Sequence, residues 1–184
     1  MVGQSLRIRN RKCIMTIDME TLQQKKRRLY GKKYLSKHIA ELNALTNVKI
    51  EEGDLLSIAD TDLVSLSIKE HFQPSQKKFY EATIPVLDKE RFLLYIGGLI
   101  EQKDGKAYVS VEHSLDCGLV EIKSLEDFNV NFDWKEIPSE LFSITLNDFS
   151  NRLLIDICIE EGECYLEIEA HGDEWATVEI VSES

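Results

Sequence analysis

The sequence predicts an α+β fold in which N-terminal helices pack on a mostly antiparallel β-sheet that ends in a three-stranded meander. Three observations lead to this prediction. Apolar residues recur at helical spacing in the first third of the chain. Much of the remainder alternates apolar and polar residues over strand-length segments. Helix–strand alternation of the doubly wound kind is absent, so we expect the helices on one face of the sheet.

Length and composition indicate a globular chain. It has 184 residues, of which 43% are hydrophobic and 30% charged, and these values lie within the range of proteins with a buried core. No apolar run approaches the roughly 18 residues needed to span a bilayer. We predict a flexible basic extension over 1–17, with Met15 as an alternative start, and a single domain over 18–184. That domain is expected to be helical over 18–72 and strand-rich over 77–182.

The first helical segment is predicted from Asp18 to Leu45. Asp18 is a candidate N-cap, and Leu35, Ile39 and Leu42 form an apolar stripe. Gly31 is expected to divide the segment into two helices.

The next helix is predicted from Thr61 to Phe72, where Gln73-Pro74 closes it. Asp60 or Asp62 is the expected cap.

A β-hairpin is predicted for the middle of the chain. The apolar run 92–102 and the segment 106–113 flank Asp104-Gly105, a dipeptide favoured in two-residue hairpin turns. Gly97-Gly98 within a strand would indicate a bulge or a close backbone approach. Further short elements are predicted as strands at 78–84, 119–122 and 142–146, a helical turn at 124–128 and a turn at 138–141.

The last strands, 152–160, 163–170 and 175–181, are predicted to form the meander. Matching apolar to apolar residues pairs Ile159 with Cys164 and Leu153 with Ala170, because a one-residue slip would place isoleucines opposite glutamates. Cys158 then lies on the other face from Cys164, so no disulfide is expected between them. Free thiols and the lack of an export signal favour a reducing, cytoplasmic location.

The charge is divided along the chain. Residues 1–50 contain twelve Lys and Arg against three Asp and Glu, whereas 51–184 contain ten against thirty. Such asymmetry indicates a partner or a nucleic acid. The candidate nucleic-acid-binding residues, in a stretch with Tyr30 and Tyr34 interleaved, are Lys25, Lys26, Arg27, Arg28, Lys32, Lys33 and Lys37. The candidate partner-binding residues, on turns and outward-facing strand positions, are Glu160, Glu161, Glu163, Glu167, Glu169, Asp173 and Glu174, with Glu179 on the third strand.

Three classes of function are compatible with these features. The first is a non-enzymatic interaction protein whose acidic face binds a basic protein. Immunity proteins and antitoxins, which cover the basic active site of a nuclease, are one physical example of that mode. The second is a nucleic-acid-associated regulator that uses the basic helix over 25–37. Association between copies of the chain, basic helix to acidic sheet, stays open as well.

The third class is an enzyme with an unrecognised site. His113, Asp116 and Cys117 are a base, an acid and a nucleophile within five residues, and His171 lies in a loop with Asp173 and Glu174. Catalytic thiols normally meet a histidine distant in sequence, and one loop does not supply convergent metal ligands. No phosphate-loop motif is present. We therefore expect no catalytic residues, metal or cofactor, and favour the non-enzymatic hypothesis.

Overall fold

The computed structural model describes residues 20–73 and 79–180. These residues form helices and one six-stranded antiparallel sheet, which confirms the α+β prediction. The predicted extension over 1–17, with Met15, lies outside the described residues, as does Cys13. The helices are α1 (Leu22–Gly31), α2 (Leu35–Leu45), α3 (Ile58–His71), α4 (Lys89–Gln102) and the short α5 (Ser114–Cys117). The strands are β1 (Phe79–Pro85), β2 (Ala107–Ser110), β3 (Val120–Ile122), β4 (Leu141–Leu146), β5 (Arg152–Glu160) and β6 (Glu163–His171).

The first helical segment divides at Gly31, as predicted. Asp18 lies outside the described residues, and the cap of α1 is Thr21, whose hydroxyl accepts a hydrogen bond from the Gln24 amide (3.2 Å). A Cβ at Gly31 would collide with the backbone of Asp116 in α5. Glycine is therefore required where α1 crosses α5.

Helix α3 begins earlier than predicted. Its cap is Ser57, whose hydroxyl accepts from the Asp60 amide at 3.1 Å, so neither Asp60 nor Asp62 caps it. The Asp62 carboxylate instead accepts from Arg27 of α1 at 2.5 Å.

The predicted strand over 92–102 is wrong, because this segment is the helix α4. Phe92, Tyr95, Ile96 and Leu99 are buried at helical spacing, and Asp88 caps the helix by accepting from the Arg91 amide at 3.2 Å. Gly97 and Gly98 consequently lie in a helix rather than at a bulge. The close approach predicted there is present, since a Cβ at Gly98 would lie 2.9 Å from a methyl group of Val178.

The prediction of a hairpin turn at Asp104-Gly105 is wrong as well. The Asp104 carboxylate accepts hydrogen bonds from the Ser124 hydroxyl (2.5 Å) and the Leu125 amide (2.8 Å). Strand β2 pairs with β3 and β4 and has no partner in 92–102.

The predicted strand over 175–181 is also not formed in its described part. Trp175–Thr177 is a 3-10 turn, and Trp175 is fully buried. Its indole nitrogen donates to the Lys103 carbonyl at 3.0 Å, and its amide donates to the Asn151 side chain at 3.1 Å. These two hydrogen bonds and the burial of Trp175 hold the segment against the core, so it does not add a further strand to the sheet.

The sheet order is β1-β6-β5-β4-β2-β3. The predicted register of β5 and β6 is confirmed, with Ile159 opposite Cys164 and Leu153 opposite Ala170. The described cysteines Cys117, Cys158 and Cys164 are free. Strands β4, β5 and β6 form a three-stranded meander, and β1 lies against β6 in the position predicted for 175–181.

The two faces of the sheet differ sharply. On the inner face, Ile84, Ile155 and Ile168 join one buried core with α4 and with Leu42 and Leu45 of α2. The opposite face is called the outer face here. The C-terminal part of α3 lies over one end of it, where His71 stacks on Phe149, Phe149 stacks on Tyr108 of β2, and Phe72 contacts His171 of β6. The prediction that the helices lie on one face of the sheet is therefore wrong, because α2 and α4 pack on the inner face and the end of α3 on the outer one.

Two glycines provide a test of this packing. Gly31→Ala should lower the free energy of unfolding by about 1–3 kcal/mol, because the methyl group must separate α1 from α5. Gly97→Ala is the matched control. It meets open space within a helix, so it should raise stability by about 0.5–1 kcal/mol. Urea unfolding followed by circular dichroism measures both, and a Gly31 variant as stable as the native chain would contradict the α1–α5 packing.

Candidate functional site

Carboxylates of β1, β5 and β6 share the outer face of the sheet. Strand alternation directs Leu166, Ile168 and Ala170 into the core and leaves Glu167 and Glu169 exposed between them. The same alternation on β5 places Asp156 on the outer face, because Ile155 and Ile157 are buried. The register then decides which of these charges meet.

Like charges are opposite each other at three positions of this face. Glu81 pairs with Glu169, while Asp156 pairs with Glu167 and Glu160 with Glu163. Directly opposed side chains in antiparallel strands lie about 5 Å apart, and like charges there destabilise the sheet by roughly 0.2–1 kcal/mol per pair. We call these six residues the acidic face.

Among the described residues, two of the three pairs, Asp156–Glu167 and Glu160–Glu163, have no cation within 4.0 Å. Among the described residues, His171 is the only basic side chain in ion-pair distance of the acidic face, at 3.1 Å from the Glu169 carboxylate. The Tyr165 hydroxyl donates to Glu163 at 2.7 Å. The remaining carboxylates of the face have no Lys, Arg or His within 4.0 Å in the described part of the chain.

Cys158 lies within the acidic face. Burial and the neighbouring carboxylates of Asp156 and Glu167 raise the pKa of its thiol to about 11, so it is protonated at neutral pH. The potential ligand atoms of Asp156, Cys158 and Glu167 all lie within 4.8 Å of one another. In the described residues this is the one group of three that could hold a metal ion, and a bound cation would have to displace the thiol proton.

The sequence identified most of this face. Five predicted residues, Glu160, Glu161, Glu163, Glu167 and Glu169, lie together on the β5–β6 hairpin, with Glu161 in its turn at φ 52°. Asp173 and Glu174 follow the hairpin at its other end. The Glu174 carboxylate accepts from the Asn151 side chain at 2.9 Å and lies 3.6 Å from Lys103, so it is engaged within the chain. Glu179 lies after the 3-10 turn and belongs to no strand.

Two members of the acidic face, Glu81 and Asp156, were missed. The alternation of Asp156 with isoleucines was a sufficient signal for its outward position. Glu81 had no such signal, because its place depends on the pairing of β1 with β6 across more than eighty residues of chain.

The basic segment is partly used inside the molecule. Arg27 forms ion pairs with Asp62 (2.5 Å) and Asp116 (3.2 Å), and Arg28 pairs with Glu20 at 3.0 Å. Lys37 lies 3.8 Å from Glu112 on the main body, and Lys33 lies over the Tyr34 ring. Lys25, Lys26 and Lys32 make no ion pair with any residue that the structure describes.

His113, Asp116 and Cys117 each contact a different group. The His113 ring stacks on Tyr34, and Asp116 binds Arg27. The Cys117 thiol donates to the Gly31 carbonyl at 3.3 Å, while burial and Asp116 raise its pKa to about 11. A protonated, half-buried thiol is a weak nucleophile, so this arrangement does not favour covalent catalysis.

Comparisons with known proteins add no relative. Protein-family models, the curated proteins and the solved structures were compared with the chain, and none of the three yields a match. Across residues 20–73 and 79–180, no helix is long and apolar enough to cross a membrane.

The Cys158 thiol reports on the charge around it. In a chain whose other three cysteines are serine, Glu167→Gln should lower the pKa of Cys158, because it removes one repelling carboxylate. A raised pKa keeps thiolate scarce below that pKa, so alkylation by iodoacetamide at pH ~8 should become severalfold faster. A chain that keeps only Cys164 is the control, since burial alone raises its pKa. Equal acceleration at both thiols would contradict the local effect.

Proposed function

We propose that this protein binds a basic partner protein through the acidic face. The observation that carries the proposal is the set of three opposed like-charge pairs, Glu81–Glu169, Asp156–Glu167 and Glu160–Glu163. Among the described residues the last two pairs have no cation within 4.0 Å, while Glu169 has His171 at 3.1 Å and an electrostatic interaction with Arg152. Self-repulsion on a sheet lowers stability. Lysine or arginine side chains of a partner would offset this repulsion. The relief of the repulsion would then contribute to the free energy of binding.

Solubility alone is a weaker explanation for the arrangement. A net charge of −11 can be spread over the surface without opposing carboxylates on neighbouring strands. Concentrated on one sheet face, the same charges steer a basic protein to its binding site and complement its surface. A protein that blocks the basic active site of a nuclease, as immunity proteins and antitoxins do, is the kind of function that this surface suits. The free cysteines support a reducing, cytoplasmic setting.

Matched charge variants test the proposal. The triple variant Glu81→Gln, Glu167→Gln, Glu169→Gln removes three charges from the acidic face. The control variant Glu52→Gln, Glu90→Gln, Glu101→Gln removes three exposed charges that lie outside the face. A partner is captured from the native cell extract, purified, and titrated against both variants at several salt concentrations.

The expected result is specific to the acidic face. The face variant should weaken binding about tenfold or more and reduce its salt dependence, whereas the control should stay within about twofold of the native chain. The face variant should also be the more stable protein in urea. Equal loss in the two variants, or a partner without a basic surface, would overturn the proposal.

A nucleic-acid-associated function is the alternative proposal, and one observation favours it. Lys25, Lys26 and Lys32 are left without ion pairs in the described chain, so they are available to phosphates.

Fluorescence anisotropy with duplex DNA at low salt tests this alternative. The alternative requires that the native chain binds the DNA and that the triple variant Lys25→Gln, Lys26→Gln, Lys32→Gln does not. Arg27 should be kept, because its contacts with Asp62 and Asp116 hold α1 in place. No binding by the native chain at low salt would remove the alternative.

A further inference from the structure

A cavity of about 540 Å³ lies between α3 and the outer face of the sheet. Its roof is one side of α3, since Ser65, Ile68, Lys69 and Phe72 follow one another at helical spacing. The sheet contributes Ser110, Ser143 and Arg152. The first half of α3 is docked through buried Ile58, Thr61 and Val64, and at its C-terminal end His71 and Phe72 contact Phe149 and His171. Ser65, Ile68 and Lys69, which lie between these contacts, line the cavity.

Arg152 lies where this cavity meets two smaller ones. The same side chain lines a space of about 410 Å³ with Phe79, Leu154 and His171, and one of about 210 Å³ with Ser139. Arg152 therefore faces open volume on several sides, at the opposite end of β5 from the Glu160–Glu163 pair.

Two buried polar atoms at this point have no hydrogen-bond partner in the part of the chain that the structure describes. The Nε atom of Arg152 is buried and has no hydrogen-bond acceptor, and the hydroxyl of Thr145, directly opposite it on β4, is also buried without a partner. Arg152 has no carboxylate within 4.0 Å in the described part of the chain. Burial lowers its pKa, and the charge of Glu169 acts in the opposite direction. A buried guanidinium Nε–H without an acceptor is costly, because arginine carries donors only and keeps its charge.

The charge lining the large cavity is positive. Lys69 and Arg152 line it, and the described residues of its wall include no aspartate or glutamate. Glu81 and Glu169 belong to the neighbouring space beside His171, and Glu112 belongs to the smallest one. Ile68, Leu115 and Leu119 supply an apolar wall on the side of α3 and α5.

We propose that the cavity between α3 and the sheet binds a small organic anion, with its oxyanion at Arg152 and Lys69 and its apolar body against Ile68, Phe72 and Leu119. A carboxylate or phosphate oxygen supplies the acceptor that the Arg152 guanidinium lacks, and planar oxyanions suit the fork of an arginine. The serines at 65, 110 and 143 add donors. The volume lies in the range of sites for small organic ligands.

Octanoate is a suitable probe, because it joins a carboxylate to an apolar tail. Isothermal titration calorimetry of the full chain should show saturable binding of octanoate. Octanol, which lacks the charge, and inorganic phosphate, which lacks the tail, should each bind about tenfold more weakly or worse. Arg152→Met keeps the side-chain stem and removes the charge, so it should weaken octanoate binding about tenfold or more. Ser143→Leu places a larger side chain on the sheet side of the cavity and should also abolish octanoate binding.

Arg91→Met is the matched control, since Arg91 is half-buried, carries a buried Nε without an acceptor and lines none of the three cavities. It should bind octanoate as the native chain does. Arg152→Met should unfold at a urea concentration no lower than that of the native chain, because it removes an unpaired charge, so loss of binding cannot be ascribed to misfolding. No octanoate binding by the native chain, or unchanged binding by Arg152→Met, would overturn the proposal. Equal binding of octanol and octanoate would also overturn it.

Discussion

The register of the β5–β6 hairpin is the constraint on which the rest of the molecule depends. Its inner face carries Ile155, Ile157, Leu166 and Ile168, all buried, and a shift by one residue would exchange them for charged residues. That register gives β4 and β1 their edges for pairing and gives α4 its packing surface. The same alternation places the intervening residues, most of which are acidic on β6, on the outer face. The acidic face is therefore a direct consequence of the hairpin that builds the core.

Some of the fold was readable because local pattern and tertiary packing agree. The β5–β6 register follows from alternation alone, and the division of the first helical segment follows from Gly31. Segment 92–102 was misread because an apolar run beside Asp104-Gly105 resembles a hairpin strand. The spacing of Phe92, Tyr95, Ile96 and Leu99 was the helical signal. Trp175 gave no signal, since its burial depends on the Lys103 carbonyl and on Asn151, both distant in the chain.

The site was predictable to the extent that it is local. Glu163, Glu167 and Glu169 share one strand, so parity alone placed them together. Glu81 joins them only because β1 pairs with β6, and Arg152 lines the cavity only because α3 lies over the outer face of the sheet. The local sequence contains no pattern that predicts either contact. The charge division along the chain also did not show that Arg27 and Lys37 would turn back onto Asp62, Asp116 and Glu112.

On the inner face of β5 and β6 apolar residues pack against one another, whereas on the outer face several charged groups lack a partner of opposite charge in the described part of the chain. In the middle of the two strands Asp156 opposes Glu167 with no cation within 4.0 Å among the described residues, and at the first residue of β5 the buried Nε atom of Arg152 has no acceptor there. Glu169 acts on Arg152 electrostatically but lies outside the cavity between α3 and the sheet. The opposite charges thus share one pair of strands without forming an ion pair among the described residues. Departures from local consistency concentrate at functional sites, and here they carry opposite charges. The two proposals, a basic partner at the acidic face and a small anion in the cavity at Arg152, therefore concern separate ligands.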